Sequence, residues 1–183
     1  MSASLALLSS SLLSLASALV PLAMGVIGCT GRAGGAPDTA PAAAALPFQS
    51  ATDLGGILED WHRAAAASDE QAYFDRMTDD AIFIGTDATE RWDVAAFRAY
   101  AHPRFAAGKG WVMHATARNI VFSADRRTAW FDEALEATNL GPARGSGVLV
   151  QGTDGRYRIA HYVLSISVPN ERFAAVKDLL AQP

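Results

Sequence analysis

Four consecutive strand-like runs in the second half of the chain place the strongest constraint on its fold. They cover residues 111–122, 129–138, 144–152 and 157–168, and turn-forming residues separate them. Strands joined by such short turns pair as an antiparallel meander. Strands of about ten residues twist strongly, so this sheet can curl around helices that cover one of its faces.

Helical patterns precede and follow the meander. A capping box at 68–71 starts a second, short helix, and Asn170 is placed to cap a last amphipathic helix. Helices before a long meander are typical of an α+β fold, here a cone of N-terminal helices on a strongly curved antiparallel sheet enclosing one pocket. The first helix has apolar residues at helical spacing, namely Leu54, Ile57, Leu58 and Trp61.

The segment between the second and third helices contains a short pair of strands. Asp79 and Asp80 predict a turn into a buried strand at 81–85, and residues 90–92 form a short return strand. Asp93 is an N-cap for the third helix. Pro103 is expected to kink or end that helix, because proline lacks the backbone N–H.

Composition limits the function classes. The 183-residue chain has a formal net charge of −4, and its basic residues are scattered without a stripe or an arm, which excludes a nucleic-acid surface. The length suits one domain behind an N-terminal extension. His62 and His114 lack neighbours at metal-ligand spacing, so neither a metal nor another cofactor is predicted.

The first 29 residues have the pattern of an export signal. Residues 5–27 are apolar and uncharged, and the segment ends in Val-Ile-Gly-Cys at 26–29. This ending resembles the box of bacterial lipoproteins, in which the cysteine, here Cys29, receives the lipid. The resemblance implies an exported, membrane-anchored lipoprotein that faces the periplasm or the cell exterior. No Lys or Arg precedes the apolar segment, so an uncleaved span or an ordinary cleavage site stays an alternative.

Residues 30–50 are predicted to be a flexible linker. Their Ala, Gly, Pro and Thr cannot bury enough surface to fold. The folded domain is then expected to cover 51–183. Cys29 is the only cysteine of the chain, so this domain has neither a disulfide nor a thiol nucleophile.

Two charges interrupt the apolar runs of neighbouring predicted strands. Asp132 lies within 129–135, and Arg144 lies within 143–150. A charge inside a sheet that packs against helices is strongly unfavourable unless it is paired or faces a wet cavity. The two charges therefore predict a polar-lined pocket for a small molecule, or alternatively a salt bridge that only braces the pocket wall.

The sequence resembles the SnoaL-like branch of the nuclear transport factor 2-like superfamily. The matching motifs lie at 61–62, 78–81, 85–92, 129–133, 144–149, 159–165 and 168–170. The resemblance implies a conical α+β fold with one pocket between helices and sheet. The superfamily includes ketosteroid isomerase, polyketide cyclases, scytalone dehydratase, the association domain of calmodulin-dependent kinase and many non-catalytic binding domains, so it does not define a function.

The catalytic residues of ketosteroid isomerase do not carry over to this sequence. The resemblance places Trp61 where the enzyme has a Tyr, and Gly85, which has no side chain, where it has a carboxylate base. Arg144, a permanent cation, stands where the enzyme has a protonated Asp. Asp87 and Arg91 are expected to line the pocket entrance or, alternatively, only to fix a turn.

The resemblance to the kinase association domain, with strand alternation, assigns side chains to the two faces of the sheet. His161 and Val163 are predicted to face outward. A one-residue slip in register would reverse these assignments. The residues predicted to face the pocket are Trp130, Asp132, Arg144, Ser146, Tyr162 and Leu164.

Three functions remain open. The first is binding of a small organic molecule, for example an anion, with Arg144 pairing its acidic group while Trp61 and Trp130 pack its apolar body, unless these rings are core residues only. The second is a lyase, cyclase or isomerase for a polyketide- or steroid-like substrate, with Asp132 as general base. The third is a homodimer formed through the outer sheet face, including His161.

Overall fold

The computed structural model describes residues 49–182. Cys29 and most of the predicted linker lie outside the described residues. The helices are α1 (Ala51–Ala66), α2 (Glu70–Phe74), α3 (Val94–Ala106) and α4 (Phe173–Leu180), with a 3₁₀ turn at Asn170–Arg172. The strands are β1 (Met77–Ile84), β2 (Arg91–Asp93), β3 (Met113–Phe122), β4 (Thr128–Ala137), β5 (Gly141–Gln151) and β6 (Tyr157–Ile166).

The strands form a 6-stranded sheet in the order β2-β1-β6-β5-β4-β3. Every neighbouring pair is antiparallel except β1 and β6, which run parallel. The predicted meander corresponds to β3, β4, β5 and β6 and is confirmed. Helix α1 packs against β3, and α3 packs against β1 and β2. The α+β fold class predicted from the sequence is confirmed.

Side-chain caps mark the starts of α1 and α3, and the cap at Asp93 was predicted. The Ser50 hydroxyl accepts from the Asp53 N–H at 3.2 Å while the Asp53 carboxylate accepts from the Ser50 N–H at 2.7 Å, which is a reciprocal capping box. Asp93 caps α3 by accepting a backbone N–H at 2.8 Å. The apolar stripe of α1 is buried, as shown by Leu54, Leu58 and Trp61.

Four local predictions are wrong. The capping box predicted at 68–71 does not form, because Asp69 caps α2 by accepting the Ala72 N–H at 2.9 Å, while the Ser68 hydroxyl accepts the Gly110 N–H.

The other three concern β1, α3 and α4. Asp79 and Asp80 lie in β1, exposed at an irregularity in its pairing with β6, instead of forming a turn. Helix α3 continues past Pro103, whose carbonyl accepts the Ala107 N–H that closes the last turn. Asn170 belongs to the 3₁₀ turn, and no side-chain hydrogen bond caps α4.

The assignment of β4 side chains to the two faces of the sheet is wrong: the set predicted to face inward faces outward. Phe131, Glu133 and Leu135 are buried on the inner face, which meets the helices, while Trp130 and Asp132 lie on the outer face. Burying a Phe or Leu side chain stabilises a fold by about 1.5–3 kcal/mol, so the two apolar side chains determine which face turns inward.

The orientation of β5 is reversed in the same way. Arg144 and Ser146 lie on the outer face, and Gly145 and Gly147 lie on the inner face. A Cβ at Gly147 would lie 2.9 Å from the Phe131 ring, and a Cβ at Gly145 would collide with the hydroxyl of Tyr162. The glycines therefore leave room for aromatic rings from β4 and β6.

The orientation of β6 is as predicted. Tyr162 and Leu164 are buried on the inner face, and His161 and Val163 lie half-buried on the outer face. The charge pair predicted for the interior is thus absent from it: Asp132 and Arg144 both face outward.

Candidate functional site

A cleft of about 230 Å³ opens at one end of the sheet. It lies where β1 and β6 end, between α3 and the turn that joins β4 to β5. Leu164, predicted to face a pocket, lies in its wall. Six aromatic side chains also line it: Tyr73, Phe83, Trp92, Phe97, Tyr100 and Trp111.

Much of the wall is a continuous stack of rings from β1, β2 and α3. Phe83 stacks on Phe97 at 3.9 Å between ring centroids, Trp92 lies 5.6 Å from Phe97, and Tyr100 lies 4.6 Å from Trp92. Tyr100, at the outer end of the stack, is half-exposed. Flat aromatic walls of this kind suit a ligand with a flat apolar body.

Two charged side chains interrupt this apolar wall. The guanidinium of Arg104 lies 5.3 Å from the ring centroid of Trp111, and its Nε is buried without a hydrogen-bond partner among the described residues. Glu90 lines the cleft from the turn between β1 and β2. Within residues 49–182, neither side chain takes part in an ion pair. Such groups can bind the polar end of a ligand.

The tight turn between β1 and β2 positions Glu90. The Gly85 N–H donates to the Glu90 carbonyl at 2.9 Å, and the Asp87 N–H donates to the Glu90 carboxylate at 3.2 Å. The Asp87 carboxylate accepts from the N–H and the hydroxyl of Thr89 at 2.8 and 2.6 Å. A Cβ at Gly85 would collide with the Glu90 carboxylate. The carboxylate therefore fills the space into which a side chain at position 85 would project.

Neither Asp87 nor Arg91 lines the cleft. The Asp87 carboxylate is used within the turn, where the hydrogen bonds from Thr89 hold its pKa below the usual range. Arg91 is exposed, and strand alternation instead turns its neighbour Trp92 into the cleft wall. Asp87 and Arg91 were predicted either to line the pocket entrance or only to fix a turn, and the contacts support the second alternative.

Two polar groups without partners are buried behind the cleft. Tyr73 stacks on Trp61 at 4.8 Å, and Trp61 meets the ring of Tyr162 edge-on at 4.7 Å. The indole N–H of Trp61 and the hydroxyl of Tyr162 have no hydrogen-bond partner in the part of the chain that the structure describes. Burial raises the pKa of Tyr162 well above its usual value, and the Glu133 carboxylate adds to this. Trp61 and Tyr162 are thus interior rings, one layer behind the wall.

A buried charge cluster lies on the inner face of the sheet. Glu133 is fully buried, and its carboxylate lies 3.2 Å from the Nε2 of His62 on α1. Arg118 on β3 donates to the same carboxylate at 2.9 and 2.6 Å and to the Gly55 carbonyl at 3.0 Å. Burial alone would raise the pKa of Glu133, but His62 and Arg118 outweigh it and hold the pKa below its usual value. This cluster joins α1 to the sheet.

Sequence reasoning missed Glu90, Arg104 and Glu133 as site residues. Glu133 alternates with Phe131 and Leu135, and that period was the available signal for its burial. Arg104 follows Phe97 by seven positions, which places it on the apolar side of α3. The position of Glu90 depends on the turn geometry, for which the sequence offers no comparable pattern.

Residues 49–182 contain neither a metal-ligand cluster nor a membrane-spanning helix. No group of His, Cys, Asp and Glu between residues 49 and 182 is arranged to hold a metal ion. Among the helices of this same part, none has the length and apolar character needed to cross a membrane.

Comparison with known proteins supports the same fold. The SnoaL-like domain profile matches residues 56–169, whereas no curated protein matches the sequence. A nuclear transport factor 2-like protein of unknown function from Pseudomonas putida KT2440 shares 12% identity over 66% of this chain and 88% of that chain, with a TM-score of 0.55. An uncharacterized protein with a cystatin-like fold from Caulobacter vibrioides shares 16% sequence identity. The match covers 72% of this chain and 98% of that chain, with a TM-score of 0.54.

A candidate scytalone dehydratase from Novosphingobium aromaticivorans DSM 12444 is similar at 11% identity over 63% of this chain and 82% of that chain, with a TM-score of 0.52. At these identities the solved structures establish the fold alone. The profile match spans more than half of the chain. The chain therefore belongs to the SnoaL-like domain family.

Proposed function

We propose that the domain binds a small organic molecule with a flat apolar body and an acidic or other hydrogen-bond-accepting group. The observation that carries this proposal is Arg104, whose buried Nε lacks a partner within residues 49–182 in a cleft walled by aromatic rings. A buried donor without a partner is unfavourable, and a ligand acceptor would supply the missing, charge-assisted bond. Arg104 thereby takes the role that the sequence suggested for Arg144.

The binding proposal can be tested with 8-anilino-1-naphthalenesulfonate, a flat aromatic anion with environment-sensitive fluorescence. The full chain, purified in a non-ionic detergent, should bind it, and native mass spectrometry of the same sample should identify any co-purifying molecule. Arg104→Met should weaken binding by roughly 10- to 100-fold, because a charge-assisted hydrogen bond contributes about 1.5–3 kcal/mol.

Arg91→Met is the matched control for this experiment. Arg91 is also an arginine near the cleft, but it is exposed and outside the wall. Its replacement should leave the affinity unchanged. Equal affinities of Arg104→Met and the unmodified chain, or equal losses in both variants, would exclude the proposed role of Arg104.

A second candidate function is proton transfer on a polyketide- or steroid-like substrate by a lyase, cyclase or isomerase. The observation that favours it is the Glu90 carboxylate, which faces the cleft and receives one backbone hydrogen bond. A carboxylate with no ion-pair partner among the described residues is suited to act as a general base. Asp132, the base suggested by the sequence, lies on the outer face and is not proposed for this role.

Isotope exchange tests the second candidate. A ligand identified by mass spectrometry that bears an acidic C–H bond should exchange that hydrogen in D₂O when the chain is present. Glu90→Gln should abolish the exchange while binding persists. Exchange that continues in Glu90→Gln at the original rate would remove Glu90 as the base.

We further propose that the chain is exported and lipidated at Cys29. The support is the uncharged apolar segment at 5–27 and the Val-Ile-Gly-Cys ending at 26–29. In a bacterial host, metabolic labelling with an alkyne fatty acid should label the chain, and Cys29→Ser should lose the label. Labelling that persists in Cys29→Ser would contradict lipidation at this residue.

A further inference from the structure

The aromatic cleft contains one acidic and one basic side chain that do not pair with each other. Glu90 and Arg104 both line it, and both are partly buried. No ion pair between residues 49 and 182 includes either of them. A ligand with only negative charge would satisfy Arg104 but would be repelled by the Glu90 carboxylate, since like charges that face each other across a contact are unfavourable. The cleft as a whole is therefore complementary to a ligand that carries both signs of charge.

The surroundings of Glu90 suit a protonated amine. Glu90 precedes Trp92 by two positions, and both side chains line the cleft. Trp92 stacks on Tyr100 at 4.6 Å between ring centroids, and Tyr100, which also lines the cleft, is 48% exposed. The face of an aromatic ring attracts a cation, and ammonium groups are commonly bound between such rings and a carboxylate. An amine of the ligand can therefore lie between Glu90 and the exposed ring of Tyr100.

The surroundings of Arg104 suit an acidic group at a distance from this amine. Arg104 follows Tyr100 by four positions, so the two side chains leave the same side of α3 about 6 Å apart along its axis. Its guanidinium lies 5.3 Å from the ring centroid of Trp111, and its buried Nε has no hydrogen-bond partner within residues 49–182. The two charged groups of a ligand that meets both Glu90 and Arg104 are thus separated, as they are at opposite ends of an aromatic ring.

The size of the cleft agrees with a single ring. Its volume of about 230 Å³ is below the roughly 300–1,000 Å³ of sites for drug-sized ligands. One ring with two short substituents fills such a space, and a larger molecule protrudes from its open end.

We propose that the ligand is a zwitterion built on one aromatic ring, with a protonated amine beside Glu90 and an acidic group bound by Arg104. This inference rests on the proposed function, because it keeps Arg104 as the residue that binds the acid and adds Glu90 as the residue that selects for the amine. A carboxylate paired with an ammonium group does not serve as a general base. The inference therefore assigns Glu90 to ligand selection and not to the proton transfer of the second candidate function.

Three ring compounds of similar size test the inference. At neutral pH, para-(aminomethyl)benzoate carries both charges, para-ethylbenzoate only the acid, and para-methylbenzylamine only the amine. Isothermal titration calorimetry of the full chain in a non-ionic detergent measures the three affinities. The zwitterion should bind at least about tenfold more tightly than either of the others, because it alone forms both charge-assisted contacts.

Glu90→Gln separates charge selection from a structural role of Glu90. Glutamine retains an oxygen that can accept the Asp87 N–H, so the turn is preserved. The variant should weaken binding of the zwitterion at least about tenfold and leave the affinity for para-ethylbenzoate within about threefold, because only the amine loses its partner. Arg104→Met should weaken the binding of both acids. Asp80→Asn is the control, since it removes a negative charge from an exposed position of β1 outside the cleft, and it should change neither affinity.

Three results would overturn the inference. They are a zwitterion that binds no more tightly than para-ethylbenzoate, a Glu90→Gln variant that weakens both acids equally, and an absence of binding for all three compounds. In the first two results para-ethylbenzoate still binds, so the proposed function stands while the zwitterion is excluded. In the third, the test with 8-anilino-1-naphthalenesulfonate decides on the proposed function separately.

Discussion

Two adjacent acidic residues on β4 lie in opposite environments, one on the inner face and one on the outer face. Glu133 is fully buried and receives hydrogen bonds or charge contacts from His62 and Arg118. Asp132, the preceding residue, is exposed, and its one hydrogen-bond partner within residues 49–182 is the Asn119 amide. A difference of one position therefore separates a carboxylate that joins α1 to the sheet from one that is exposed on the outer face.

This contrast shows that a buried charge is defined by its partners and not by the strand that carries it. Glu133 can occupy an apolar face because a cation and an imidazole reach it from β3 and α1. Among the described residues, no comparable group of a cation and an imidazole contacts Asp132 on the outer face. Apolar side chains and charges without ion pairs lie side by side there. The following predictions test this difference, from the largest expected effect to the smallest.

Replacing Glu133 should be far more damaging than replacing Asp132. Glu133→Ala leaves the buried His62 without its carboxylate partner and removes the shorter of the two ion pairs of Arg118, and breaking a buried pair in this way costs about 3–5 kcal/mol. Asp132→Asn should change the free energy of unfolding by less than about 0.5 kcal/mol. Urea unfolding followed by circular dichroism measures both, and similar effects at the two positions would contradict the contrast between the faces.

The glycines of β5 should show the same asymmetry at a smaller scale. Gly145→Ala should destabilise by about 1–3 kcal/mol, because the added Cβ would collide with the Tyr162 hydroxyl on the inner face. Tyr162→Phe removes that hydroxyl, which has no hydrogen-bond partner in the described part of the chain, and should therefore be nearly neutral by itself. Combined with Gly145→Ala, it should relieve part of the destabilisation that the added Cβ causes. Ser146→Ala, on the outer face, is the matched control and should be close to neutral in thermal unfolding.

The lowered pKa of Glu133 predicts a pH dependence of the stability of the fold. Its folded-state pKa lies below the unfolded value of 4.5, so its contribution to stability is fully present above that value and is lost as the pH falls through the folded pKa. Glu133→Gln should flatten the loss of stability below pH 4.5. Urea midpoints measured across the acid range check this, and an unchanged slope in Glu133→Gln would show that other groups cause the loss.

A small effect is expected for Trp130, which lies on the outer face. Trp130→Thr should change the free energy of unfolding by less than about 1 kcal/mol, since half of the side chain is already exposed. Chemical unfolding measures this value. A larger loss would mean that Trp130 contributes substantially to the stability of the fold.

Much of the fold could be predicted because its signals are local. The turns between β3, β4, β5 and β6 and the cap at Asp93 depend on residues a few positions apart. The site was less predictable. Arg104 and Glu90 meet in one cleft only because α3 and the turn between β1 and β2 pack at the same end of the sheet.

The sequence by itself determined the α+β class, the meander, and the alternation of side chains along each strand. The tertiary structure alone decided which of the two alternating sets faces inward. A period of two is the same for either choice, so the decision rests on partners that are distant in the chain. His62 approaches Glu133 across 71 positions, and the ring of Tyr162 fills the space above Gly145. Those contacts turn Asp132 and Arg144 outward and leave the cleft to Arg104 and Glu90.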